Sequence, residues 1–240
     1  MKRLIVAFLS LVLLASCDKH DPILPGVRTP IFQGENVTIL NTDIEKISDV
    51  AYTMPQIECP YTMDSSNTIW DGPRKVFSGF ATDNYVAGNS QPVCSGAYVY
   101  AGLTTGEVVK INPKNRQIMW IADVYRPSNL TGGASVLDIV APVIVRDKYV
   151  YAGGLGDAFC KINSTSGTSV WCTGISVAAP FIIVDDVAFV VGGDKKLYAL
   201  RLTDGAAYWA TTIDKISAPT YSNGVIKVGK EQINAKNGDK

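Results

Sequence analysis

PVIVRDKYVYAGGLGDAFCKINSTSGTSVWCTGI, residues Pro142 to Ile175, is one of three full copies of a single pattern. PVCSGAYVYAGLTTGEVVKINPKNRQIMWIADV (Pro92 to Val124) precedes it, and PFIIVDDVAFVVGGDKKLYALRLTDGAAYWATTI (Pro180 to Ile213) follows. A fourth begins at Pro219 and runs to Lys240, where its Trp would stand. After each Pro comes an apolar or alternating run, then a tight Gly element at Ala101-Gly102, Gly153-Gly154 or Gly192-Gly193. A second alternating run leads to a polar turn such as Asn163-Ser164-Thr165-Ser166-Gly167, and a last run ends at Trp120, Trp171 or Trp209. Period-2 alternation between Gly, Asn, Asp and Pro is the signature of strands joined by hairpins. About three to four short strands per ~40 residues describes one blade of a β-propeller. No stretch after the leader sustains a 3.6-residue period, which excludes helical repeats. The fold class is therefore all-β, a partial propeller of about four blades, with repeats at 92–124, 142–175, 180–213 and 219–240.

The three tryptophans are expected to pack between neighbouring sheets, where a large ring buries area that no smaller side chain could. The Gly pairs suit turns of positive φ, and no Gly-rich loop leads into a helix that could cradle phosphate.

Outside the repeats the N-terminus is the most informative segment. Lys2 and Arg3 precede an apolar run from Leu4 to Leu14, followed by Leu14-Ala15-Ser16-Cys17. This is the pattern of a secretory signal, too short for a comfortable membrane-spanning helix. Residues 1–16 read as a signal peptide, 17–30 as anchor and Pro-rich tether, and 31–240 as the propeller domain. With residues 1–16 removed, 20 basic and 22 acidic side chains remain, a net charge of −2. No basic footprint for nucleic acid exists.

Catalytic constellations were sought among the remaining residues. The single His, His20, lies in the tether, so neither a Ser-His-Asp nor a Cys-His arrangement can form in the domain. Asp185-Asp186 and Asp204-Gly205 sit where turns are expected. No CxxC or calcium-loop spacing occurs, so no metal site is expected. Cys59, Cys94, Cys160 and Cys172 remain after Cys17. Cys160 and Cys172 flank one polar turn on strands that antiparallel pairing would bring face to face. Cys59 with Cys94 is the remaining pair, and buried free thiols are the alternative.

The Leu-Ala-Ser-Cys17 sequence resembles the lipobox of bacterial lipoproteins, which implies diacylglyceryl attachment at the Cys17 thiol and acylation (palmitate) of the new amino group. The resemblance places the protein on the periplasmic face of the outer membrane, with Asp18 as the feature that would favour the inner membrane. The copies resemble the quinoprotein-like (PQQ-type) repeat, shared by PQQ-dependent alcohol dehydrogenases and by outer-membrane assembly lipoproteins of the BamB type. Cys17, the stretch Arg28-Thr29-Pro30-Ile31-Phe32, and Thr53-Met54-Pro55 with Asn67-Thr68-Ile69-Trp70 are similar to the second group. The dehydrogenases' paired adjacent cysteines are absent, so quinone binding is not carried over and no cofactor is expected. The resemblance implies a non-enzymatic scaffold that grips the β-barrel insertase and its lipoprotein subunits through propeller loops. The long connection Tyr125 to Ala141, with Arg126, Pro127 and Asn129, is the candidate partner loop. A degenerate PQQ-dependent dehydrogenase and a periplasmic peptide- or glycan-binding lipoprotein are the rival readings. Three full copies and a fourth that stops at Lys240 suggest an incomplete propeller. An open arc, part of a split gene, or a small ring closed by pairing of residues 31–40 with the last copy would each account for it.

Overall fold

The computed structural model describes residues 36–53, 58–82, 86, 90–125 and 136–240. Among them eighteen strands form five antiparallel sheets and no helix occurs. The first sheet holds β1 (Tyr61–Met63), β2 (Thr68–Asp71) and β3 (Arg74–Ser78). The second holds β4 (Val93–Ser95), β5 (Tyr98–Gly102), β6 (Glu107–Asn112) and β7 (Gln117–Asp123). The third holds β8 (Ile144–Arg146), β9 (Tyr149–Gly154), β10 (Ala158–Asn163) and β11 (Ser169–Thr173). The fourth holds β12 (Ile182–Val184), β13 (Val187–Val191), β14 (Lys196–Arg201) and β15 (Ala207–Thr212). The fifth holds β16 (Pro219–Ser222), β17 (Val225–Val228) and β18 (Glu231–Asn234). Each sheet is an up-and-down meander in sequence order, the blade of a propeller.

The count of about four blades becomes five sheets, because the first sheet hides its kinship. In the second, third and fourth sheets the pairing of the last two strands shifts register at Lys110/Ile111, Lys161/Ile162 and Ala199/Leu200. The same shift recurs at Ile69/Trp70. It aligns β1, β2 and β3 with the second, third and fourth strands of a full blade. Just before the shift Lys110 faces Trp120, Lys161 faces Trp171 and Ala199 faces Trp209. In the first sheet Ile69 faces Phe77. Phe77 thus holds the position of the repeat's Trp, and a search for Trp passes over it.

Four apolar clusters lie between successive sheets. The interior sheets are covered on both faces, so their strands lose alternation; β13 is buried at every residue. In the fifth sheet alternation returns. Ile226, Val228 and Ile233 point inward, while Lys227, Gln232 and Asn234 are exposed. Among the described residues no apolar cluster joins the fifth sheet to the first, and the sheets form an open arc.

Residues 36–52 tie this arc together. Asn36 bridges to Gly174 and Ile39 to Ala207, both in parallel. Leu40 N–H donates to Ala207 O at 2.8 Å, Thr42 N–H to Tyr208 O at 3.0 Å, and Ile44 N–H to Lys236 O at 2.8 Å. The Ser48 N–H and hydroxyl both donate to the Asp185 carboxylate at 2.7 Å. Asn223 N–H donates to Asp49 O at 3.0 Å and Tyr52 N–H to Ile183 O at 2.6 Å. The segment crosses the outer strands of the third and fourth sheets, reaches the fifth, and returns to the innermost strand of the fourth. Ile44 is buried between the fourth and fifth sheets, and Val37 and Tyr52 pack against the cluster of the third and fourth. Residues 36–40 therefore strap the third and fourth sheets rather than closing a ring with the last copy. The outer strand β15 offers them backbone groups that the sheet itself leaves unpaired.

Candidate functional site

Rigidity of the scaffold comes from one device repeated at three interfaces. The Trp120 indole N–H donates to Ser164 O at 3.0 Å, Trp171 to Leu202 O at 3.1 Å, and Trp209 to Ala235 O at 3.2 Å. Each acceptor lies in the last turn of the following sheet. Each ring also lies against a left-handed glycine of that turn: Gly167 (φ 75°), Gly205 (φ 77°) or Gly238 (φ 79°). A Cβ on Gly167 would stand 2.6 Å from Trp120 Cγ, and one on Gly205 2.7 Å from Trp171 Cε3. Two lysines reinforce the first two locks. Lys110 Nζ donates to the same Ser164 O at 2.7 Å, and Lys161 Nζ to the same Leu202 O at 2.8 Å. Each ammonium also lies over a tyrosine ring, Tyr98 at 4.0 Å and Tyr149 at 4.1 Å. Burial pushes both lysine pKa values below the usual range. In the fourth sheet Ala199 replaces the lysine, and Val187 and Phe189 stand where β9 has Tyr149 and Tyr151.

A meander places its first and third turns at one end and its second turn and exit at the other. The arc therefore presents two faces built of loops. On the exit face lies the connection Tyr125 to Ala141. Arg126, Pro127 and Asn129 fall outside the described residues, but both feet of the loop are visible. Val124 N–H donates to Gly106 O at 2.8 Å, and the Tyr125 ring lies against Gly106. On the other side Ile139 N–H donates to Leu103 O at 3.2 Å and Leu155 N–H to Asp138 O at 2.9 Å. Ile139 fits where a side chain on Gly102 would clash. Asp138 is 1% exposed; its Oδ2 accepts from Val86 N–H at 2.8 Å, and its Oδ1 has no partner among the described residues. Burial raises its pKa, against the lowering effect of the Val86 bond. Burial also raises the pKa of Tyr125, with Asp123 and Glu107 adding to the effect.

The opposite face carries a cleft of about 850 Å³ roofed by the strap and lined by Ile44, Lys46, Ser48, Arg146, Asp185 and Tyr208 among others. The Arg146 guanidinium donates to Asp185 O, lies 3.7 Å from Asp186, and covers the Tyr52 ring at 5.3 Å. Hydrogen bonds from the Ser48 side chain, and then its backbone, hold the Asp185 pKa low against the raising effect of burial. Arg146 is thus committed to Asp185 and Asp186, and Arg201 to Asp204. The sequence does not mark the cleft, because residues 36–52 carry no repeat signal and their backbone partners lie more than 130 positions away.

Cys17 lies outside the described residues. Cys160 and Cys172 face each other directly across β10 and β11 and are bonded, with Cα atoms 4.1 Å apart. Cys59 and Cys94 are bonded as well, with Cα atoms 5.2 Å apart. Among the described residues no three His, Cys, Asp or Glu side chains cluster to hold a metal ion, and no helix is long and apolar enough to cross a membrane.

Residues 60–232 match the family described as outer membrane protein assembly factor BamB. No curated protein matches the sequence. Among solved structures the chain is similar to BamB from Moraxella catarrhalis, with a TM-score of 0.59 and 17% identity over 73% of this chain. The match covers 61% of that protein, so the chain spans about three fifths of its length. The computationally designed Ika8 protein matches with a TM-score of 0.49 and 11% identity, over 71% of this chain and 52% of that one. Quinohemoprotein alcohol dehydrogenase from Comamonas testosteroni matches with a TM-score of 0.43 and 15% identity, over 52% of this chain and 21% of that one.

Proposed function

The chain belongs to the family of the outer membrane protein assembly factor BamB, and on that premise we propose that it is a non-enzymatic scaffold for inserting β-barrel proteins into the outer membrane. The observation that carries this reading is the family match across residues 60–232, together with a fold shared with Moraxella BamB. In this reading Cys17 is lipidated after removal of residues 1–16. Residues 17–30 tether the propeller domain, 31–240, to the periplasmic face of the outer membrane. The partners are the barrel insertase and its lipoprotein subunits. No chemistry is required of the scaffold; it brings components together by surface contact. The connection between Tyr125 and Ala141 is the partner loop, because its feet are seated on the turns of two sheets and a loop on a rigid frame can bind without a large ordering cost.

A crosslinked pull-down of the intact protein from its native envelope tests the reading. Recovery of the barrel insertase, and its loss when residues 126–135 are replaced by a short Gly-Ser linker, is the expected result. Normal abundance of the protein without the insertase in the crosslinked fraction would overturn it.

A further inference from the structure

The interface between the first and second sheets is built unlike the other three. Phe77 occupies the Trp position and has no N–H to donate. The last turn of the second sheet carries Arg116, with φ 59°, where the later sheets have Gly167, Gly205 and Gly238. The apolar contact is also small: Met63, Ile69, Val76 and Phe77 against Ala101, Leu103, Val109 and Ile111. At the exit face one polar clasp is present. Asn67 Nδ2 donates to Thr104 Oγ1 at 2.8 Å and Thr104 N–H donates to Asn67 Oδ1 at 2.9 Å. A neutral pair of this kind contributes only modestly, because both groups exchange hydrogen bonds with water on release.

What this interface has and the others lack is a covalent bond. Cys59 precedes β1, and Cys94 lies on β4, the innermost strand of the second sheet. The loop closed by the bond contains the whole first sheet. Its trailing end runs directly into β4, and its leading end is fastened to the same strand by sulfur. The Cys160–Cys172 bond, by contrast, joins two strands already paired within one sheet.

We propose that the Cys59–Cys94 disulfide is the lock of the first interface, so that docking of the first sheet onto the second depends on the oxidation state of these two thiols. Both half-cystines are partly exposed, whereas in the other disulfide Cys160 is fully buried and only Cys172 is partly exposed. A dithiol can therefore reach the Cys59–Cys94 bond from solvent. Its thiolate attacks one sulfur and displaces the other as thiolate. The second thiol of the reductant then resolves the mixed disulfide. Two electrons and two protons pass to the protein, giving two Cys thiols, and the reductant leaves as its own disulfide. Among the described residues the first sheet is then held by the clasp, the small apolar contact, a long Met63 N–H to Gln91 Oε1 bond and one chain connection. Its release uncovers Ala101, Val109 and Ile111, an apolar face that the oxidised protein keeps dry. The second to fifth sheets stay joined by their indole locks.

Hydrogen exchange read by mass spectrometry on the full chain tests this. With Cys59→Ser and Cys94→Ser together, amides of residues 61–78 should lose protection on the order of 100-fold, while residues 144–234 keep theirs. With Cys160→Ser and Cys172→Ser together, residues 61–78 should be unchanged. Folded wild-type protein treated with dithiothreitol supplies the same reading without relying on a variant to fold. Wild-type protection of residues 61–78 after loss of the Cys59–Cys94 bond would overturn the proposal. So would an even loss across all five sheets.

Discussion

A single position, the left-handed residue of each last turn, decides how well a Trp can seat. Gly167 takes φ 75° and lies under Trp120, where a Cβ would meet Cγ at 2.6 Å. Gly167→Ala combines that collision with a left-handed penalty of about 1–2 kcal/mol. It should lower stability by roughly 2–4 kcal/mol in denaturant titration. Arg116 at the equivalent turn should respond in the opposite sense, gaining roughly 1 kcal/mol on replacement by Gly. Asp138 makes a prediction about pH. Its folded pKa is raised above the ordinary value of 3.8 by burial. The native state therefore holds the proton more tightly than the unfolded chain. Its contribution is fully present below the unfolded pKa and is lost as pH rises through the folded one. Thermal melts from pH 4 to 7 should show that Asp138→Asn removes this part of the pH dependence; an unchanged slope would exclude Asp138 as its source.

At the scale of elements, the recurring Trp and the turn chemistry at a fixed spacing made the full blades legible, because each hairpin needs its left-handed residue and each Trp its seat. The first sheet was legible only in part, since Phe77 carries the apolar role of the Trp without its name. The strap was illegible. Residues 36–52 carry no repeat signal, and their conformation is imposed by backbone groups of β12 and β15 and by the turn at Asp185. The site divides likewise. The long connection Tyr125 to Ala141 stands out by its length alone and remains a candidate, while the cleft opposite exists only because distant segments meet there. The strap's grip rests on Ile44, which is 3% exposed between the fourth and fifth sheets. Ile44→Ala should cost about 2–5 kcal/mol and loosen the fifth sheet first. A denaturant midpoint unchanged from wild type would show that the segment only lies on the arc.

The whole molecule is a row of sheets in which each apolar cluster joins immediate neighbours, so stability is close to a sum of local terms. Trp209 supplies the lock between the fourth and fifth sheets. Trp209→Ala should expose amides of residues 219–234 to exchange while residues 93–123 remain protected; uniform loss would mean that the arc unfolds as one unit. Among the described residues the strap breaks this nearest-neighbour rule, and it does so across great distances in sequence. Ser48 meets Asp185, 137 positions later, and accepts from the Tyr221 hydroxyl, 173 positions later. Loop closure over such spans is slow. A chain that emerges from the ribosome, or from a translocation channel, with its N-terminus first delivers residues 36–52 long before their docking places exist. The earliest part of the domain to be made is thus the last to settle: until the third and fourth sheets form it waits without its partners, and Ile44 and Asp49 wait longer still, for the fifth.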